Sequence, residues 1–437
     1  MAVDIGETMY YNISELVKFF HSFPHYDLQF DPIDPKFDPQ SQPYLQSLIL
    51  VAAVPVLWML LWILIYLAYF CYLCVTCRKN RVEKSTKSPQ PSRWFSFFFY
   101  VLVILMITVS FYSNEVIDHN AQSVKDHLHK IQLHTGKIQI QSAVILQSID
   151  KLKDETAVSL KQEFTTSSVL DEQERPKLQG LADDMTESLS HANEIVTDSV
   201  QDALRKLTFD SSLSKIISDY EKYRHLATHA VSGFIILATI LSMFSLACKK
   251  KGFILMCVAL AVFNVILVWA GVGAYSALSV GTSDFCMDPT GYLVQQLPSS
   301  GMVPEEVKVL NYYLKCQPQE NYFYEPIVTL QEHLGHVQAY IDEIAEASGK
   351  LGSRVSTNLT MAQNDVRRLM TNVLKMSSFT ECTYSHTHYM AAIHSICNTC
   401  VVGETTLLGS YFFSGLILII LVFLMLTAAQ LINNKAD

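Results

Sequence analysis

The chain has 437 residues, half of them hydrophobic and 17% charged, with a formal net charge of −9. That is apolar for a soluble protein, and the acidic balance, with no basic stripe interleaved with aromatics, excludes a nucleic-acid partner. No Gly-rich phosphate loop, GxSxG or HExxH motif occurs, so no enzyme and no resident cofactor are expected.

Residues 1–43 are aromatic and acidic and carry Pro24, Pro32, Pro35, Pro39 and Pro43. Repeated proline resists helix, which predicts an extended strap. A basic n-region followed by an apolar h-region is missing, so targeting is expected to fall to a membrane span rather than a cleaved signal. Asn12-Ile13-Ser14 is an N-glycosylation sequon.

The first apolar run covers residues 44–77, with Pro55 in its opening turns. A basic loop at 78–93 follows, holding Arg78, Lys79, Arg81, Lys84, Lys87 and Arg93 against one acid, Glu83. Residues 94–113 form the second run, long enough for a hydrocarbon core of about 30 Å. The third and fourth, 226–248 and 253–278, are separated only by 249–252, which contains Lys249, Lys250 and Lys251. The fifth covers 407–432 and leads to 433–437. Both short loops are basic and are therefore expected in the cytoplasm. Five spans then put the N-terminus and both long polar segments, 114–225 and 279–406, outside, and the C-terminus inside. Asn358-Leu359-Thr360, a second sequon, falls in the latter segment.

Both long segments carry helical seams. Ile117, Ala121, Val124, Leu128, Ile131, Thr135, Ile138, Ser142, Ile145, Ile149 and Leu152 alternate at spacings of four and three. Pro176 marks a break, after which Ala182, Met185, Leu189, Ala192, Val196 and Ala203 resume the pattern. Ile327, Leu330, Leu334, Val337, Ile341 and Ile344 form a third seam, which slips near Gly349 and Gly352 before Val355, Leu359, Ala362, Val366 and Leu369. The expected fold is an all-α integral membrane protein, with five transmembrane helices and a disulfide-stapled helical-bundle ectodomain.

Cys286, Cys316, Cys382, Cys397 and Cys400 are expected outside, where thiols oxidise, and one must remain unpaired. Their connectivity is not fixed by sequence, although a nested pairing would staple the base and middle of a hairpin. His386, His388 and His394 with Cys397 and Cys400 offer zinc-type ligands but no regular spacing. Cys71, Cys74 and Cys77, at the inner end of the first span, are candidates for palmitoylation or simply small packing residues. Asn114, Glu115 and Asp118 follow the second span and offer oxygen ligands for Ca²⁺, set against an ordinary role as solvated helix residues. No apolar core of a span contains Lys, Arg, Asp or Glu; His229, read as interfacial, and Asn264 are the polar side chains that stand out.

Several short motifs in fixed order resemble the tweety family across nearly the whole chain. They are His21-Ser22-Phe23-Pro24, Tyr44-Leu45-Gln46-Ser47-Leu48, Phe111-Tyr112-Ser113-Asn114, Tyr220-Glu221-Lys222-Tyr223-Arg224, Val280-Gly281-Thr282-Ser283-Asp284-Phe285-Cys286 and Tyr312-Tyr313-Leu314-Lys315-Cys316. The resemblance implies a glycosylated, homodimeric plasma-membrane chloride channel opened by calcium or cell swelling, in contact with membrane lipid. It also implies the bridges Cys286–Cys397 and Cys316–Cys382, with Cys400 extra. By the same resemblance Arg175 is a candidate for the anion path, and Asn114, Glu115 and Asp118 correspond approximately to calcium-associated residues, displaced by one position. The alternative reading is a non-conducting dimeric scaffold that binds lipid or shapes the membrane.

Overall fold

The computed structural model describes residues 13–79, 93–167, 170–206, 211–248, 251–296, 304–347 and 353–436. Asn12, most of the two basic loops, Gly349, Gly352 and the side chains of Cys74 and Cys77 lie outside that description. The described residues are almost entirely helical and contain no strand; one isolated bridge pairs Tyr26 with Pro32.

In chain order the helices begin with α1 (Glu15–His21), α2 (Gln42–Lys79), α3 (Arg93–Lys151), α4 (Val158–Thr166) and α5 (Glu174–Glu194). They continue with α6 (Asp202–Lys206), α7 (Ser211–Cys248), α8 (Lys251–Met287), α9 (Pro289–Gln296) and α10 (Pro304–Lys315). The last are α11 (Tyr324–Ala347), α12 (Ser353–Phe379), α13 (Cys382–His394) and α14 (Val401–Ala436). Two compact units share them: residues 1–125, 212–292 and 391–437 form the first, and residues 126–211 and 293–390 the second.

The first unit holds the membrane-crossing part. Five of the described helices contain stretches long and apolar enough to span a bilayer, in α2, α3, α7, α8 and α14. Helix α8 packs against both α2 and α14. Its Val265, Val268, Trp269 and Val272 are buried with Leu407, Tyr411, Leu418 and Val422 of α14. Leu57, Leu60, Leu64 and Leu67 of α2 point outward, as expected where lipid replaces water as the neighbour.

The approach of α2 to α8 is backbone to backbone. A Cβ on Gly273 would lie 2.6 Å from the carbonyl oxygen of Ala52, so the glycine permits the small-residue contact on which membrane helices rely. No rotamer change relieves a clash with a carbonyl. Gly273→Ala is therefore expected to destabilise the protein by about 1–3 kcal/mol, seen as a lower thermal midpoint in detergent. Gly233→Ala, where nothing lies within 4 Å, should leave that midpoint unchanged or slightly raised.

The N-terminal strap is not extended throughout. Residues 15–21 precede the first proline and form α1, started by the Ser14 hydroxyl, which accepts the Val17 N–H at 3.3 Å. Beyond Pro24 the chain runs without helix to α2.

The second unit is a helical bundle built on the predicted seams. Ile131, Ile138, Ile145 and Ile149 of α3 are buried, as are Met185 and Leu189 of α5 and Leu330, Leu334, Val337 and Ile341 of α11. Val366, Leu369 and Val373 of α12 are buried likewise. Single π-helical turns at Leu152–Ala157 and Ile195–Gln201 shift the register where the seams would otherwise rotate away. Pro176 sits in the first turn of α5, where a missing N–H costs nothing.

Each unit carries one disulfide. Cys286, at the end of α8, is bonded to Cys397, which lies in the π-helical turn Ser395–Cys400 before α14. Cys316, which ends α10 with φ of 49°, is bonded to Cys382 at the start of α13. Cys400 is a buried free thiol, whereas Cys71 is exposed.

Candidate functional site

Helix α7 carries a polar face through an otherwise apolar span. Arg224, Thr228, Ser232, Thr239, Ser242 and Ser245 recur at spacings of three, four and seven, which keeps them on one side of a helix. The five hydroxyl residues are buried, while Phe234, Leu237 and Phe244 of the same helix point outward. The polar face therefore looks into the helix bundle.

Its N-terminal end is a charged network. The Arg224 guanidinium donates from Nε to Glu221 Oε2 at 2.8 Å and from Nη2 to Glu221 Oε1, a bidentate pair. Nη1 donates to Asn114 Oδ1 of α3 at 2.7 Å. Glu404 of α14 is buried nearby in the same unit; its Oε1 accepts one long bond from Thr282 at 3.5 Å, and its Oε2 has no partner.

Below Arg224 the hydroxyls connect three more helices. Thr228 Oγ1 and the Tyr275 hydroxyl of α8 are 2.6 Å apart. Ser232 Oγ bonds the Tyr411 hydroxyl of α14 at 2.9 Å and Ser110 Oγ of α3 at 3.1 Å. Farther along, Thr239 and Ser245 turn back to carbonyls of their own helix. Asn264 Nδ2 reaches the Ile235 carbonyl at 3.5 Å. Ser242 Oγ and Asn264 Oδ1 are buried and have no hydrogen-bond partner. An unmet polar atom inside a span is costly, so each asks for a further ligand.

A second cluster adjoins the charged network. Glu115 Oε1 of α3 lies 3.2 Å from His225 Nε2 and 3.2 Å from His229 Nε2 of α7. Among the described residues these three form the one group of His, Cys, Asp and Glu side chains close enough together to share a metal ion.

The sequence profile of the Tweety family matches residues 12–437. The chain belongs to the Tweety family. It is 24% identical over 401 residues to "Protein tweety homolog 3" of Danio rerio, covering 89% of this chain and 67% of that one. It is 24% identical over 415 residues to "Protein tweety homolog 1-A" of Xenopus laevis, covering 93% and 88%. With "Protein tweety homolog 1" of Bos taurus the identity is 26% over 413 residues, covering 91% and 87%.

The two bridges implied by the Tweety resemblance are both present. Cys397 is consumed by one of them, so the zinc-type set of His386, His388, His394, Cys397 and Cys400 loses a ligand. The residues associated with calcium do not converge. Asn114 spends its oxygen on Arg224 and directs its Nδ2 to the His225 carbonyl at 3.1 Å. Asp118 accepts from Gln122 Nε2 at 2.7 Å, and Glu115 faces two imidazoles. A hard cation that needs six or more oxygens is poorly matched there.

Arg175 lies in the second unit, where its Nη2 donates to the Ser167 carbonyl at 2.9 Å and closes the turn between α4 and α5. Asn358 is half-buried on α12. Sequence reasoning missed Arg224, Glu221, Glu404 and the α7 hydroxyl face. The signal was available in the three-and-four spacing of Ser and Thr, which hydropathy alone averages away.

Proposed function

We propose that this Tweety-family chain is a plasma-membrane chloride channel whose anion path follows the polar face of α7, with Arg224 near its mouth. The observation that carries this reading is the buried hydroxyl face of α7, where Ser242 Oγ has no hydrogen-bond partner and Asn264 Nδ2 is held only by a 3.5 Å bond to the Ile235 carbonyl. The Ser242 O–H and the weakly engaged Asn264 Nδ2 amide are donors that suit a chloride ion, and a guanidinium supplies the positive potential at the entrance. In the described conformation the Ser110–Ser232–Tyr411 bonds join three helices and hold the face closed. Opening requires those hydroxyls to exchange each other for the ion. The basic residues of the two short loops support an outside N-terminus and inside C-terminus. Dimerisation, glycosylation at Asn12 and Asn358, and gating by calcium or cell swelling are carried over from the family resemblance as parts of the same proposal.

The test is chloride efflux from liposomes containing the purified full chain. Asn264→Leu keeps the volume and removes the amide, so it should fold and still reduce flux at least about tenfold, since a polar contact worth about 1.4 kcal/mol changes a rate by that factor. Loss of flux with Arg175→Ala, and not with Asn264→Leu, would move the path into the second unit. Silent liposomes containing folded, oriented dimer would favour the lipid-binding scaffold.

A further inference from the structure

We infer that Glu115, His225 and His229 form a binding site for a borderline divalent transition metal of the zinc class, bridging α3 to α7. The inference stands independently of whether the chain conducts ions.

His225 and His229 are four residues apart on α7 and so share a face, with ring centroids 4.3 Å apart. Glu115 reaches that face from α3. Two of the three ligand separations suit a small tetrahedral ion, and all three ligand atoms lie within 4.8 Å of one another. Ligands at about 2.0–2.2 Å from zinc in tetrahedral array are separated by about 3.3–3.6 Å, and Glu115 Oε1 lies 3.2 Å from each Nε2. Two imidazoles and one carboxylate are the ligand types of open zinc sites, with a fourth position left for water. Glu115 is 60% exposed at its side chain, so that position is open to solvent.

The surroundings set the imidazole of His229. Its Nδ1 lies 3.1 Å from the His225 carbonyl and also touches Asn114 Nδ2. In one tautomer Nδ1 accepts from Asn114 and Nε2–H donates to Glu115. In the other, Nδ1–H donates to the His225 carbonyl and Nε2 turns a lone pair toward Glu115. The second is the metal-ligating form; it keeps the carbonyl bond that ligating histidines commonly make behind the ring and requires the Asn114 amide nitrogen to turn away from Nδ1. Arg224 orients Asn114 with its Nδ2 toward His229, so the metal-free site holds the first tautomer and metal binding exchanges it for the second.

A Ca²⁺ site would need different chemistry. Imidazole is a poor ligand for that ion, and the nearby oxygens of Asn114 and Asp118 already have partners. The contacts that now join Glu115 to the histidines are partly exposed and contribute little, so they offer weak competition to a metal.

The test uses the untagged full-length protein in detergent, titrated with Co²⁺ and followed by the visible absorption of its tetrahedral complex. Zn²⁺ should displace the cobalt at one equivalent per chain, and millimolar Ca²⁺ should not. Glu115→Gln alters an exposed side chain and should leave folding intact while weakening Co²⁺ and Zn²⁺ at least about 100-fold, the upper range for disturbing a zinc site's support. His229→Ala should do the same. His127→Gln combined with His388→Gln removes a different histidine pair and should bind as the parent does. Unchanged affinity in Glu115→Gln, no saturable one-to-one binding, or displacement by Ca²⁺ would each overturn the assignment.

Discussion

Replacing Asp284 by Asn should release the N-terminal strap and cost about 3–5 kcal/mol, the usual range for removing one partner from a buried charged cluster. Asp284 sits near the end of α8 with a fully buried carboxylate. His21 Nδ1 donates to Oδ1 at 2.8 Å, while His25 Nε2 and the Tyr44 hydroxyl donate to Oδ2 at 2.9 and 2.8 Å. Three elements therefore meet at one side chain: α1, the turn after Pro24, and the start of α2. An Asn amide offers one oxygen to three donors and points its own N–H groups at the rest. Limited proteolysis should show cleavage within residues 22–41 becoming much faster in the variant. Unchanged protection would mean that the aromatic contacts of Phe37 with Tyr44, Phe285 and Tyr292 hold the strap unaided.

The same cluster sets a pH dependence with a definite sign. The hydrogen bond to Asp284 raises the pKa of His25 above its ordinary value; burial opposes this, and the charges of Asp284 and Asp34 add to it. A histidine whose folded value is raised stabilises most fully below its unfolded pKa of about 6.5. That contribution is lost as pH rises through the folded value. Strap protection should therefore be greatest in mild acid and decline on the alkaline side, and Asp284→Asn should flatten the profile. A decline on the acid side instead would show that His25 is neutral in the cluster.

Helical periodicity made the architecture legible. Ile131, Ile138 and Ile145, or Leu330, Leu334 and Val337, announce a buried face because the period is a local property of the backbone. Partners across helices have no such local signature. His21-Ser22-Phe23-Pro24 and Ser283-Asp284-Phe285-Cys286 stand out as separate motifs, yet nothing in either reveals that His21 bonds Asp284 across 263 positions. His229 reads as interfacial when α7 is considered alone. Only the rotation of α3 against α7 brings Glu115 onto the face already defined by His225 and His229. Arg175 is a candidate through the family resemblance alone, Glu172 and Glu174 beside it fitting an ordinary solvated residue; in the folded chain its Nη2 donates to the Ser167 carbonyl. The zinc-type reading of Cys397 failed for a related reason, since its bridge partner is 111 residues away.

Opening the Cys286–Cys397 bridge should have the second large effect, and it should differ in kind from opening the other. The two bridges close loops of 111 and 66 residues. On the loop-entropy account each contributes about 4–5 kcal/mol, because the dependence on length is only logarithmic. Stability alone would barely distinguish them. Position does. Cys286 lies two residues beyond Asp284, so its bond fixes the end of α8 that carries the strap's anchor against the turn leading into α14. Cys286→Ser should lower the thermal midpoint and also raise the cleavage rate within residues 22–41. Cys316→Ser should lower the midpoint by a similar amount and leave strap cleavage as it was, since its bridge belongs to the second unit. Cys286 is the better site to change: Cys397→Ser would leave its thiol free with Cys400 three residues farther along the same turn, where a substitute bridge could mask the loss. Equal strap cleavage in the two variants would mean that each bridge acts only through global stability, and that Asp284 needs no covalent support to hold its three donors.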